Sequence, residues 1–231
     1  MQSVITSFDG AMEALKGFLA SLLESMTGFF NVFSNFWLGT VLITAIFLCL
    51  VAISIRRYGA EFSGTIKSPK TLALCAMLVA VNVILGYYTI QLSAYVRIGF
   101  GFVTVPVVSM LFGPLVGCCM GIVQDIVSFI IKPTGGLLIN LTMTAGMTGI
   151  IYAAAFYKKR ITFVRVLLAQ LFIIVVINIC LNSIALAPTV ASGMVGILPS
   201  RIIKNILLLP VQTVLIYAIL KTVQTRIKGS K

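Results

Sequence analysis

Apolar residues fill this chain in runs of about twenty, the length at which a helix crosses the hydrocarbon core of a bilayer, and short cationic clusters separate the runs. Phe36 to Ile55 is one such span, closed by Arg56-Arg57, and Tyr58 to Lys67 reads as a polar linker. Ser68-Pro69 is an N-cap followed by proline at the first helical position, which opens a span from Lys70 to about Ile90. Arg97 and Lys132 bracket 34 residues without a cation, interrupted near the middle by Gly113-Pro114. That stretch is too short for two upright spans and predicts two short or tilted helices with a tight turn between them. Further spans are expected from Leu137 to Tyr157, from Val164 to Leu186, and from near Pro199 to near Thr222 with Pro210 as a kink point. Residues 8 to 30 differ: Phe8, Met12, Leu15, Leu19, Leu22, Met26 and Phe30 recur at spacings near three and four, with Asp9, Glu13, Lys16 and Glu24 between them. The pattern is that of an amphipathic helix on the membrane surface or against a neighbouring span.

Composition agrees: 60% hydrophobic residues, 10% charged and a mean hydropathy of +1.13 describe a polytopic membrane protein. The 231 residues hold six or seven helices and no separate soluble domain. Asp9 and Glu13 precede any basic cluster, so no cleaved leader is expected. Five cysteines lie inside apolar runs without CxxC spacing, and there is no histidine, which argues against a structural metal site or a disulfide framework. No GxxxxGK[ST] motif occurs, so any use of ATP falls to another subunit.

The net charge of +12 comes from cations at the ends of apolar runs, which makes it a matter of topology and not of nucleic-acid binding. With the N-terminus outside, 12 of the 17 cations are cytoplasmic. Of the other five, Lys16 belongs to the amphipathic segment, while Arg97, Lys132, Arg201 and Lys204 fall at the outer ends of helices. After Glu61 the only acidic residue is Asp125, inside GCCMGIVQDIVSFIIK. A carboxylate at mid-membrane costs about 2.5 to 3.5 kcal/mol on insertion scales and is kept where it faces a cavity and has a partner. With no second acid and no histidine in the later spans, that partner is expected to be a basic residue or a bound ligand.

Other polar residues cluster at a similar depth. Asn178 and Asn182 are one turn apart, Gln124 adjoins Asp125, and Asn140, Thr144 and Thr148 form a stripe. The stripe is read as interhelical hydrogen bonding. Asn178, Asn182 and Asp125 are read as a ligand pocket, because ionisable and amide groups converge there. Arg201 and Lys204 share a face at i,i+3 near a helix N-terminus, where an anion is favoured. Lys204 is open between that role and snorkelling to headgroups, whereas the planar fork of Arg201 suits a carboxylate. Gly113, Gly117 and Gly121 are expected to let the two short helices pack closely, and Ala73, Ala76 and Ala80 read, on spacing alone, as another packing face.

Three segments carry a family resemblance: AMLVA at 76–80, YVRIGFGFVTVPVVSMLFGPLVGCCMGIVQDIVSF at 95–129, and LPSRIIKNILLLPVQTVLIYAIL at 198–220. The chain resembles the membrane-embedded substrate-binding subunit, or S component, of an energy-coupling factor (ECF) vitamin transporter, most similar to the folate-specific type. FGPLVG followed by a buried QD is the most specific part of the match. The resemblance implies an all-α integral membrane protein with a six-helix core, which takes up vitamin from outside. It also implies docking on a transmembrane scaffold subunit driven by two cytoplasmic ATPases, with Ala76 and Ala80 facing the scaffold. On this reading the chain is not an enzyme and carries no cofactor of its own. Residues 68–226 form the core, 227–231 a cytoplasmic tail, and 1–67 an extension of amphipathic helix 8–30, accessory span 36–55 and linker that the family does not need. The core is expected to fold without that extension.

A pterin offers an amino group beside a ring N–H, a donor pair that one carboxylate accepts in bidentate fashion, and Asp125 supplies it. The two carboxylates of a glutamate tail suit Arg97, Arg201 and Lys204. Tyr87, Tyr88 and Tyr95 are placed to stack on the rings or to form an interfacial aromatic belt, and Tyr95 is carried as a pocket residue. Pantothenate or a queuosine precursor is the alternative cargo for the same pocket. A stand-alone proton-coupled transporter using Asp125 and an accessory membrane protein without ligand are the rival classes, the first weakened by the lone acid and the lack of inverted repeats.

Overall fold

The computed structural model describes residues 17, 36–66, 68–87, 90–91, 97–98, 101–131, 139–186 and 193–229. The predicted amphipathic helix at 8–30 lies outside these apart from Gly17, as do Tyr88, Tyr95 and Lys132. Among the described residues the fold is helical: α1 (Phe36–Ile66), α2 (Pro69–Tyr87), α3 (Thr104–Phe112), α4 (Pro114–Ile131), α5 (Ile139–Phe156), α6 (Phe163–Phe172), α7 (Asn182–Leu186) and α8 (Gly193–Gly229). A π-helical segment, Ile173–Leu181, joins α6 to α7 without a break. The loop after α2 carries a short antiparallel pairing of β1 (Ile90–Gln91) with β2 (Arg97–Ile98). Among the described residues, five helical stretches are long and apolar enough to cross a membrane, with the shorter apolar Pro69–Asn82 beside them. Leu72, Ile130 and Ile203 are 63%, 71% and 65% exposed, an apolar exterior suited to lipid. The chain is an all-α, multi-pass membrane protein.

Local chemistry explains the breaks. The Ser68 carbonyl accepts from the N–H groups of Thr71 (3.1 Å) and Leu72 (3.3 Å), and Pro69 occupies a position where no N–H is needed. Gly113 turns the chain between α3 and α4 at φ 89°, a left-handed geometry open to glycine, and Pro114 starts α4. The predicted helix pair and its tight turn are thus present, though only α3, with 9 residues, is short, while α4 runs for 18 residues. α5 ends where Lys158 adopts φ 55°.

Three boundaries differ from the sequence expectation. The segment Tyr58 to Ile66 is helical and not a linker, because α1 continues for 31 residues; Phe62 packs against the buried Val108, Val116 and Met120 and so gives that extra length a tertiary anchor. α8 begins at Gly193, not near Pro199, and its helical geometry runs through Pro210 to Gly229. The Thr213 hydroxyl donates to the Leu209 carbonyl at 2.7 Å beside that proline. The π segment has no counterpart in the reading of the sequence.

The core runs along α5, with Met147 and Phe156 fully buried, and takes in Val166, Ile177, Ile216 and Leu220 from the later helices. Ile43 of α1 is also fully buried in it. The glycine stripe has a partner beyond the expected one: a Cβ on Gly117 would first strike Ser109 Oγ of α3, and Gly117 and Gly121 also admit α5. A Cβ on Gly117 would sit 3.1 Å from the Gly149 carbonyl oxygen, and one on Gly121 would strike the Ala145 carbonyl. Ser109 Oγ donates to the same Gly149 carbonyl at 3.0 Å, so three helices meet at that glycine.

Candidate functional site

The antiparallel register of α4 on α5 places the central carboxylate. Gly117 lies against Gly149 and Gly121 against Ala145. One further turn along each helix brings Asp125 beside the start of α5, where Thr142 Oγ1 donates to Asp125 Oδ2 at 2.7 Å. Of the two expected partners, a basic residue or a bound ligand, no basic residue pairs with Asp125 among the described residues, where its partner is a hydroxyl. A hydroxyl spends one proton on one carboxylate oxygen and leaves most acceptor capacity open.

Asp125 lines a partly open cavity of about 470 Å³ bounded by α3, α4, α5, the α6–π–α7 rod and α8. Gln124, Asn178, Asn182 and Arg201 share its wall. Thr104 of α3 donates to Gln124 Oε1 at 2.9 Å and fixes that amide. Thr144 Oγ1 donates to Asn182 Oδ1 at 2.6 Å, and Asn182 Nδ2 donates to Asn178 Oδ1 at 3.3 Å. Arg201 Nη1 donates to the Asn178 backbone carbonyl at 3.2 Å. That carbonyl belongs to the π segment, whose wider winding alters the ordinary carbonyl ladder. Among the described residues no carboxylate lies within ion-pair distance of Arg201.

The threonine stripe does two things at once. Asn140 Nδ2 donates to Thr40 Oγ1 at 3.0 Å, tying α5 to α1, while Thr144 and Thr148 face the cavity. Lys204 is absent from the cavity wall even though it follows Arg201 by less than a turn. Two cationic side chains at i,i+3 diverge enough for one to point inward and the other not. Arg97 contributes its backbone to β2, paired with Gln91, and its side chain lies outside the described residues.

Sequence reasoning missed the opposite end of the cavity. Tyr152 Oη donates to Gln170 Oε1 at 2.7 Å, and Gln170 Nε2 donates to Gln212 Oε1 at 2.6 Å. Tyr152 and Gln170 are each 3% exposed and Gln212 is half-buried, so the buried part of this chain of polar groups is internally satisfied. The available signal was two glutamines inside otherwise apolar spans, at Gln170 and Gln212.

Ala73, Ala76 and Ala80 are all exposed, which corrects their reading as an internal packing face. Ala76 lines an apolar groove between α2 and α4 with Leu72, Cys75, Val79, Cys119 and Val123.

A helical membrane bundle that encloses a polar cavity with one carboxylate and one guanidinium is a membrane-embedded binding protein for a small polar molecule. The family model "ECF transporter, substrate-specific component" matches residues 70–220, and the chain belongs to that family. It is 28% identical over 157 residues to the folate transporter FolT of Clostridium novyi (strain NT), across 68% of this chain and 91% of that protein. It is likewise 28% identical over 153 residues to the folate transporter FolT of Leuconostoc mesenteroides, across 64% of this chain and 82% of the relative. A crystal structure of FolT bound with folic acid superposes with a TM-score of 0.60 at 29% identity, covering 66% of this chain and 93% of that one. The family match begins after α1.

Proposed function

We propose that this chain captures folate, or a closely related pterin, from outside the cell and serves as the specificity subunit of an ATP-driven ECF transporter. The observation that carries the reading is the presence of Asp125 and Arg201 in the wall of one cavity, in a family whose similar members are folate transporters. The Asp125 carboxylate, oriented by Thr142, accepts the donor pair of the pterin, and Asn178, Asn182 and Gln124 meet the ring edges. Arg201 exchanges its bond to the Asn178 carbonyl for a carboxylate of the glutamate tail, aided at the mouth by Arg97, Lys204 and Tyr95. An ion pair in a partly dry site outcompetes a neutral carbonyl, which makes the exchange favourable.

The exposed Ala73, Ala76 and Ala80 form the surface that docks on the transmembrane scaffold subunit, and two cytoplasmic ATPases supply the energy that this chain lacks a motif to draw from ATP. Small side chains let a partner helix come close. On this reading the N-terminus lies outside and the C-terminus in the cytoplasm, an orientation supported by the 12 of 17 cations it places on the cytoplasmic side.

Titration of the detergent-solubilised protein with folate in a calorimeter tests the reading. Saturable binding at one site, with pantothenate and queuosine precursors inert, is the expected result. Binding of either alternative with folate inert would change the cargo, and no binding of any of them would favour a membrane protein without ligand.

A further inference from the structure

A second concave site lies on the outside of the bundle, away from the polar cavity. It is a groove of about 560 Å³ between α5 and α6, floored by Ala154, Ala155 and Ala169, with Leu168 and Phe172 on its flank and Arg165 at one end. Ala169 is 7% exposed while Leu168 and Phe172 are 59% and 52% exposed, so the small residues make a trough between larger ridges. From Thr162 to Phe172 the groove follows ten residues of helix, or about 15 Å at 1.5 Å per residue, which is the depth of one leaflet of hydrocarbon.

Among the described residues, the charge at the end of this trough is not balanced by acids. Lys158, Lys159, Arg160 and Arg165 are all exposed there. Glu61 is bonded to Lys158 and to Tyr157, and the Glu61 carboxylate holds the Lys158 ammonium above its ordinary range. Lys159 Nζ donates to the Ala154 carbonyl at 2.6 Å and Arg165 Nη1 to the Arg160 carbonyl at 2.8 Å. Both bonds fix the position of a cation on a neutral acceptor and leave its charge uncompensated. Asp125, the remaining described acid, is inside the bundle cavity. A groove of acyl-chain length that ends in three uncompensated cations is complementary to a molecule with an apolar chain and an anionic head.

We infer that this groove is a binding site for an anionic phospholipid of the leaflet on the basic side of the protein. The phosphate lies against Arg165, with Arg160 and Lys159 around the headgroup and the Thr162 hydroxyl in reach of it, and one acyl chain runs along Ala155, Ala169 and Phe172. Lipid recognition at this site is independent of what the polar cavity holds.

Native mass spectrometry of the full chain, released from nanodiscs of equal phosphatidylglycerol and phosphatidylcholine, tests the site. Phosphatidylglycerol adducts should exceed phosphatidylcholine adducts by at least about tenfold, given the attraction of each juxtamembrane cation for an anionic lipid. R160Q combined with R165Q should abolish the preference, and Ala155→Phe, which fills the trough, should lower retention of both lipids. Equal retention of the two lipids by the unaltered protein overturns the inference, whatever the variants do. So does an unchanged preference in the arginine variant, and so does an Ala155→Phe protein that keeps its lipid but no longer assembles with partner subunits, since the groove would then seat a protein.

Discussion

Thr142 Oγ1 donates to Asp125 Oδ2 at 2.7 Å across the α4–α5 interface. The bond exists because glycines at 117, 121 and 149 let the two backbones approach within contact distance, and because Asp125 continues the four-residue stripe of Gly117 and Gly121 by one more turn. The packing motif and the polar site are therefore one continuous helix face, close-packed at one end and open to the cavity at the other.

Asp125→Asn should lower folate affinity at least tenfold in calorimetry while the protein stays monodisperse. It removes a charge-assisted acceptor worth about 1.5 to 3 kcal/mol and puts a donor where the ligand also donates. Thr142→Val should produce a smaller loss, of about 1 kcal/mol, since it removes only the bond that orients the carboxylate. Unchanged affinity in Asp125→Asn would take Asp125 out of the site.

Arg201→Gln should weaken folate more than an analogue that lacks the glutamate tail, because an interaction with an absent group cannot be lost. The difference in affinity between the two ligands should shrink by about tenfold, the loss of one charge-assisted contact. Equal losses for both ligands would give Arg201 a structural role through the Asn178 carbonyl.

Gly149→Ala should destabilise the protein by about 1 to 3 kcal/mol, the usual cost of overpacking, since the new methyl meets the rigid Gly117 backbone and not a yielding side chain. Separation of α4 from α5 also breaks the Thr142–Asp125 bond, so folate affinity should fall with the melting temperature. A normal melting temperature would show that the crossing has slack.

The contacts of α1 reverse the sequence expectation of a core that folds without the extension: deletion of residues 1–67 should lower the melting temperature of the detergent-solubilised protein and be rescued by co-expression of the missing segment. α1 buries Ile43 in the main core, takes a hydrogen bond from Asn140 at Thr40, and sets Phe62 against the second cluster. An unchanged melting temperature would make α1 an accessory to a core that stands alone.

Ala76→Leu with Ala80→Leu should leave folate affinity of the isolated subunit intact and abolish uptake in cells that supply scaffold and ATPases. Both alanines are exposed and neither lines the polar cavity, so added bulk falls on the outer face of α2 and, at Ala76, in the apolar groove beside α4, away from the ligand. Uptake that persists would remove them from the docking surface.

Much of this architecture was legible in the sequence because membrane insertion is a one-dimensional problem: the length of an apolar run and the position of its cations decide what spans. Hence the breaks at Gly113-Pro114 and around Lys158, and Asp125 as the residue to watch, were available from the order of amino acids, while the family was legible through the resemblance of FGPLVG and the following QD. Tertiary structure decided which faces meet. Nothing local distinguishes Thr142 from the other threonines of α5; only the register set by Gly117 and Gly149 brings it to Asp125. The packing of half-buried Phe62 against Val108, Val116 and Met120 keeps α1 helical beyond the charged pair Arg56-Arg57, where hydropathy alone suggests an end. Lys204 and Arg201 look alike in sequence, and the rotation of α8 in the bundle sends one to the cavity and not the other. The Tyr152–Gln170–Gln212 chain unites three helices through two hydrogen bonds, a relationship between residues up to 60 positions apart that no spacing encodes.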